Sequence, residues 1–209
     1  TPFWGHWIRT PELSIALLDE WQNKLEKLAR QTINENVTSL AGVPTWTIVL
    51  IKRILELSGK QYLKDVWPNL ELYIHGGVSF VPYREQLNRL IGKPINYLEI
   101  FNASEGFIAA QDKPDEEGML LFTDHGIFYE FMPVDEYGKE NPKTIGLKDV
   151  ALNKNYALVI STNGGLWRYL IGDTIQFTSL LPYKIKVSGR LKHYINAFGE
   201  EIIIDNSDN

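Results

Sequence analysis

Ile95-Asn96-Tyr97-Leu98-Glu99-Ile100-Phe101-Asn102-Ala103-Ser104-Glu105-Gly106 is the stretch on which the fold turns. Its first seven residues, 95–101, read as a strand. It closes on an aromatic, a hydroxyl and a carboxylate beside a glycine, the mixture expected where a strand end meets a ligand. Upstream, helical and strand-like apolar spacing alternate. Thr10-Pro11-Glu12 offers a hydroxyl cap and a first-turn proline to a helix running to about Asn34, with Leu13, Leu17, Trp21, Leu25 and Leu28 at helical spacing. A buried strand over 37–40 follows, and Gly42-Val43-Pro44 then turns into a second helix capped by Thr45 and stopped at Ser58-Gly59. A shorter helical stretch leads to Trp67-Pro68, a strand over 70–74 ends in His75-Gly76-Gly77, and 82–90 reads as another helix.

Downstream, from Gly118, helical periodicity disappears. Apolar runs over 119–123, 127–133, 157–161, 174–178 and 183–187 are separated by the turn signals Asp124-His125-Gly126, Tyr137-Gly138 and Asn163-Gly164-Gly165. The fold class expected is α/β: a mixed sheet with helices over 1–117 that continues into a β-rich, mostly antiparallel part over 118–191. No internal repeat or low-complexity linker separates the two.

Composition narrows the function classes. The chain has 209 residues, 44% hydrophobic and 22% charged, enough to bury a real core. A net charge of -5 leaves no basic stripe to displace phosphate counterions, so nucleic acid is not an expected partner. The longest apolar run, from Trp46 to Leu57, carries Lys52 and Arg53 and falls short of the roughly 20 residues a membrane span needs, so no membrane association is expected. The absence of cysteine excludes disulfides, thiolate nucleophiles and cysteine zinc sites, and it fits a reducing compartment, by default the cytoplasm. The four histidines, His6, His75, His125 and His193, have no metal-ligand spacing. The chain opens on Thr1-Pro2-Phe3-Trp4 and closes on Ser207-Asp208-Asn209 just after an apolar run, and both ends read as cuts.

Two further stretches join Phe101–Gly106 in a fixed order: Arg168-Tyr169-Leu170-Ile171-Gly172-Asp173, then Gly189-Arg190-Leu191-Lys192. Each sets a polar or charged group beside a glycine with strand-like flanks, and the ordered trio points to a nucleotide site. With Pro2-Phe3-Trp4-Gly5, the run Val37-Thr38-Ser39-Leu40-Ala41-Gly42-Val43-Pro44, Trp67-Pro68-Asn69-Leu70, His75-Gly76-Gly77-Val78-Ser79-Phe80 and Asn196-Ala197-Phe198-Gly199-Glu200-Glu201, the chain resembles the auxin-responsive family of acyl-acid amido synthetases, especially its bacterial branch, within the adenylate-forming enzymes. The resemblance implies that the chain is a fragment of the large N-terminal domain of such an enzyme. It implies ATP-dependent activation of a carboxylic acid to an acyl-adenylate and transfer of the acyl group to an amine, typically of an amino acid.

Residue roles follow from the resemblance, each beside a plainer reading. Glu105 matches the carboxylate that helps hold Mg2+, a catalytic and metal-binding position, and Ser104 the hydroxyl near the α-phosphate, in the segment Phe101-Asn102-Ala103-Ser104-Glu105. Phe101 matches the aromatic against adenine, or simply ends a buried strand. His75-Gly76-Gly77 matches the glycine pair beside adenine, or a strand-to-helix turn. Asp173 matches the acceptor of both ribose hydroxyls, or closes a hairpin after Gly172. Arg190 matches the arginine facing the nucleotide, and Lys192 the catalytic hinge pivot that opens the C-terminal domain over 192–209, or a solvated lysine. Leu170 stands where the family motif has arginine, which puts that arginine's role in doubt. The family's phosphate-gripping loop and most of its C-terminal domain are not in this chain, so the expected activity belongs to a longer parent and the piece alone is expected to be nearly inactive. The alternatives are an adenylating acyl-CoA ligase and a non-catalytic nucleotide-binding module.

Overall fold

A computed structural model describes residues 5, 8–114, 116–191, 194–197 and 200–203. The chain divides into two compact units, 1–99 and 100–209. The first is built on three parallel strands, β1 (Ser39–Gly42), β2 (Leu72–His75) and β3 (Asn96–Ala103), in the order β1-β2-β3. Parallel neighbours need crossovers, and helices supply them. A single turn, α1 (Leu13–Ala16), and helix α2 (Trp21–Thr32) precede β1; α3 (Pro44–Ser58) lies between β1 and β2, and α4 (Val81–Ile91) between β2 and β3.

Sequence spacing explains α3 well. Ile48, Ile51 and Ile54 fall on one face and are buried in a cluster with Ala29 of α2, Leu87 and Ile91 of α4, and Tyr73 of β2. Gly59 ends the helix at φ 65, as the Ser58-Gly59 signal predicts. The start differs from expectation: Val43, extended at φ -71, is the cap position, Pro44 fills the first turn, and Thr45 lies inside the helix with no capping role. The single helix expected from Thr10 to about Asn34 is two. Leu13 and Leu17 are exposed, so burial does not carry the first turn onward. The chain restarts at Glu20, whose carboxylate accepts from the backbone N–H of Gln22 and Asn23 at 2.9 and 2.7 Å. The stretch before Trp67 is only a 3-10 turn, Leu63–Asp65. Strands β1 and β2 lie about two residues later than their apolar runs suggest.

In the second unit the described strands pair antiparallel, as the turn-punctuated runs predict, and one isolated parallel bridge joins Leu152 to Phe177. The last part of β3 pairs with β4 (Gly106–Ala110), then β5 (Met119–Leu121) pairs with β9 (Tyr183–Arg190), β9 with β8 (Tyr169–Leu180), β8 with β7 (Asn155–Thr162), and β7 with β6 (Ile127–Pro133). Strand β4 went unread, because Ser104-Glu105 is a two-residue hairpin turn rather than a free strand end. A separate hairpin joins β10 (Tyr194–Ala197) to β11 (Glu200–Ile203).

Alternation sorts the side chains. Tyr129 and Phe131 of β6, Tyr156, Leu158 and Ile160 of β7, Ile175 and Phe177 of β8 and Ile185 of β9 share one core. Ala157 and Val159 face the other way onto Met132. Strand β7 is thus buried on both faces, which is why its sequence reads as one continuous apolar run.

Candidate functional site

The candidate groups lie in both units. In the first, parallel β2 delivers His75 to its C-terminal end, level with Glu99 of β3 in the ladder. Ligands of α/β sheets gather at such ends. His75 is 4% exposed, its Nδ1 has no hydrogen-bond partner, and its ring stacks on Phe80 at 3.9 Å between centroids. Burial, assisted by the charge of Arg84, pulls its pKa down to about 4, so the imidazole is neutral at physiological pH. Glu99 is half-buried, and burial raises its carboxyl above the usual range. The chain leaves His75 through Gly76 and Gly77. Gly77 sits at φ 82, where a side chain would be strained, and a Cβ there would come within 3.4 Å of Val43 Cγ2. Tyr73, two residues before His75, donates its hydroxyl to Gly42 O at 2.8 Å and shares a hydrogen bond with the Thr47 hydroxyl at 3.2 Å, tying β2 to the turn between β1 and α3.

Arg84 is the residue that sequence reading passed over. Its guanidinium lies 5.4 Å from the ring centres of both Phe80 and Tyr97, and it forms no ion pair with a described residue. The signal was present, since Phe80 and Arg84 are four apart and meet on one helix face.

In the second unit, Ser104 and Glu105 form the turn of the β3–β4 hairpin, Ser104 exposed and Glu105 half-buried. Asn102 is exposed and Ala103 packs against the core. A register shift between Phe101 and Asn102 re-aims the chain just before this turn. Phe101 is 7% exposed and belongs to the core cluster.

Asp173 and Arg190 are direct partners across the β8–β9 ladder, and Arg190 Nε donates to Asp173 Oδ1 at 2.7 Å. Asp173 is 8% exposed, and Leu191 N–H donates to Gly172 O at 2.9 Å beside it. Two stretches 17 residues apart in number are thereby locked together by the hairpin. No hydrogen bond or ion pair among the described residues joins Glu105 to this pair. Lys192 lies outside the described residues.

Arg168 has a structural task of its own. It sits at φ 47 with Nε on Glu130 Oε2 and Nη2 on Thr144 Oγ1, each at 3.0 Å, while its N–H donates to Ser161 Oγ. It therefore does not stand in for the missing motif arginine at Leu170. Beside it Trp167 is 82% exposed and, with Phe128 and Asp124, borders an open groove of about 550 Å³. His125 lies in a turn against the Phe122 ring, as its sequence setting predicts. No group of three or more metal-ligating side chains occurs among the described residues, and none of the described helices is long and apolar enough to cross a membrane.

Comparison with known proteins adds an independent line. Residues 1–95 match the GH3 family N-terminal domain, and residues 120–190 match the GH3 family central domain. The indole-3-acetic acid-amido synthetase GH3.3 of Arabidopsis thaliana is 25% identical over 181 residues, 78% of this chain and 30% of that protein. Among solved structures, the GH3.15 acyl acid amido synthetase superposes with a TM-score of 0.63 at 16% identity, over 91% of this chain and 43% of that one. An open conformation of 2-hydroxyisobutyryl-CoA ligase does so with a TM-score of 0.59 at 14% identity, over 86% and 42%. The fold is that of the adenylate-forming enzymes, and the chain spans less than half the length of the proteins it matches.

Proposed function

The chain belongs to the GH3 family, and from that membership we propose that it serves the ATP-dependent activation of a carboxylic acid to an acyl-adenylate and the transfer of the acyl group to the amine of an amino acid, forming an amide. The observation that carries this reading is the Asp173–Arg190 pair. A mostly buried carboxylate held by a guanidinium N–H beside Gly172 is a fixed, charged acceptor, which suits the hydroxyls of a ribose. Arg190, partly exposed, brings positive charge beside the nucleotide.

Glu105 and Ser104 are assigned to the phosphates and Mg2+. A half-buried carboxylate on a tight turn, with no other ligand cluster around it among the described residues, fits an ion that binds one or two carboxylates and completes its shell with phosphate oxygens and water. Such an ion would supply neutralisation of phosphate charge. Phe101 is assigned a backing role behind the site, not a face against adenine, since its ring is in the core. His75, Gly76 and Gly77 are assigned to the opening in the first unit, and Lys192 keeps its expected role as hinge pivot. A carboxylic acid and an amino acid are the proposed small-molecule partners, and the cytoplasm is the proposed compartment, a reading that the cysteine-free composition supports. A thiol acceptor is the second reading, favoured only by the likeness of fold to the coenzyme A ligase. The amide reading prevails because sequence relatives such as the indole-3-acetic acid-amido synthetase GH3.3 are amido synthetases.

Calorimetry with AMP tests the assignment. Asp173→Asn is expected to weaken AMP binding by at least about tenfold, because a charged acceptor of two ribose hydroxyls becomes a neutral one. Unchanged AMP affinity in the folded variant would remove Asp173 from the site.

A further inference from the structure

The face of the first unit that carries His75 holds a cation whose purpose the nucleotide reading does not absorb. Arg84, at the end of the first turn of α4, is exposed, rests on the rings of Phe80 and Tyr97, and has no ion pair with a described residue. The two rings restrict the guanidinium, so less freedom remains to be lost when it binds a planar anion. Tyr97 is itself held, its hydroxyl donating to Asn88 Oδ1 at 2.5 Å. Beneath the platform lies His75, 4% exposed, with Nδ1 lacking any partner. A buried polar atom left unpaired is costly, and in native proteins it commonly marks a place that a ligand or an ordered water completes.

The chemistry of the groups selects the ligand. A guanidinium matches a carboxylate bidentately, and a neutral imidazole adds one hydrogen bond without adding charge. Glu99 lies level with His75 in the ladder and would oppose a dianion there. A zwitterion that carries an ammonium close to its carboxylate meets no such opposition. The carboxylate being activated is also a poor occupant, because it must attack phosphorus and loses its charge on forming the anhydride. The carboxylate of an amino-acid acceptor persists unchanged through amide formation, so a standing arginine can hold it from binding to release.

We propose that Arg84, laid across Phe80 and Tyr97 beside His75, takes the α-carboxylate of the amino-acid acceptor and thereby selects acceptors that carry one. The proposal rests on the amide-forming reading above. It makes Arg84 a specificity residue, with His75 Nδ1 as the second contact and the aromatic pair as its support.

Hippurate, which joins an acyl amide to a glycine carboxylate, is the probe, with N-methylbenzamide as the same amide lacking the carboxylate and benzoate as the acid alone. Titration of the full chain is followed by calorimetry and by the ring resonances of His75. Hippurate is expected to bind more tightly than either control and to shift the His75 resonances, and Arg84→Gln to weaken hippurate about tenfold or more while leaving N-methylbenzamide unchanged. Absence of hippurate binding, equal affinity for hippurate and N-methylbenzamide, or an unchanged hippurate affinity in Arg84→Gln overturns the proposal. If benzoate proves as dependent on Arg84 as hippurate, the arginine serves the activated acid and the proposal is likewise overturned. AMP titrated into the same samples reports on the nucleotide site separately, so failure of the amide-forming reading and failure of this subsite give different results.

Discussion

The two units handle buried polar groups in opposite ways. In the first, the group at the strand end is His75, kept neutral by burial, while the full charges of Glu26, Arg30 and Arg53 pair near the surface of α2 and α3. In the second, charges themselves go under cover and are paired. Asp173 meets Arg190 across β8 and β9, and Lys184, 8% exposed at its side chain, meets Asp112 and Glu116, both at 2.8 Å. Topology explains the contrast. An antiparallel ladder sets residues of two strands directly opposite, so Asp173 finds Arg190 through register alone, and the loop between β4 and β5 brings Asp112 and Glu116 to Lys184 of β9. Parallel strands joined by helices leave their ends open, and a neutral group with an unused nitrogen can wait there for a ligand.

The largest effect expected is in the core of the second unit, where Phe177 contacts Phe131, Tyr156 and Tyr183 edge-on. Phe177→Ala should cost about 3–5 kcal/mol by urea unfolding, because truncation leaves a cavity among rigid rings. A loss under about 1 kcal/mol would mean that this unit is held chiefly by its charge pairs, and the contrast above would have to be redrawn.

Next comes His75. Its folded pKa lies below the ordinary value of 6.5, so the unfolded chain binds the proton more readily. The stability associated with the neutral ring is complete above about pH 6.5 and falls as pH drops toward about 4, by about 3 kcal/mol in all. Urea titrations at several pH values should show this slope, and His75→Gln should flatten it. An equal slope in both proteins would place the acid sensitivity elsewhere.

The smallest effect sharpens the second half of the comparison. Lys184 holds the carboxyls of Asp112 and Glu116 below their usual range. Depressed carboxyls stabilise above their unfolded pKa and lose that contribution as pH falls through the folded one. Lys184→Met should therefore lower the unfolding midpoint at neutral pH, and the difference from the parent should shrink in acid below the carboxylate range. A difference that stays constant with pH would assign Lys184 to packing through its aliphatic stem.

Legibility from sequence differed between the same two regions. The second unit was readable as antiparallel because turn signals punctuate its apolar runs, and the bounds of β6 were read to the residue. Its missed strand, β4, follows a turn made of Ser104 and Glu105, which carry no glycine or asparagine signal of their own. In the first unit Ile48, Ile51 and Ile54 announced α3, whereas the break between α1 and α2 was hidden by leucines that keep helical spacing yet remain exposed. The site motifs were visible as strings, but Phe101 looked the same whether it faced a base or a core. Only the structure shows its burial among Ile108, Tyr129 and their neighbours.

What the sequence by itself determined was local and periodic: most of the order of helices and strands, the antiparallel character of the apolar runs after Gly118, and the presence of a glycine-flanked carboxylate, aspartate and arginine in family order. These depend on spacing along the chain, which a sequence records directly. Tertiary structure alone decided which groups meet and which are withheld from water: Asp173 with Arg190, Lys184 with Asp112, Arg84 upon Phe80 and Tyr97, and the unpaired nitrogen of His75. Such pairings arise from register and burial between segments distant in number, and the energies that fix them, desolvation against pairing, exist only once the chain has closed over them.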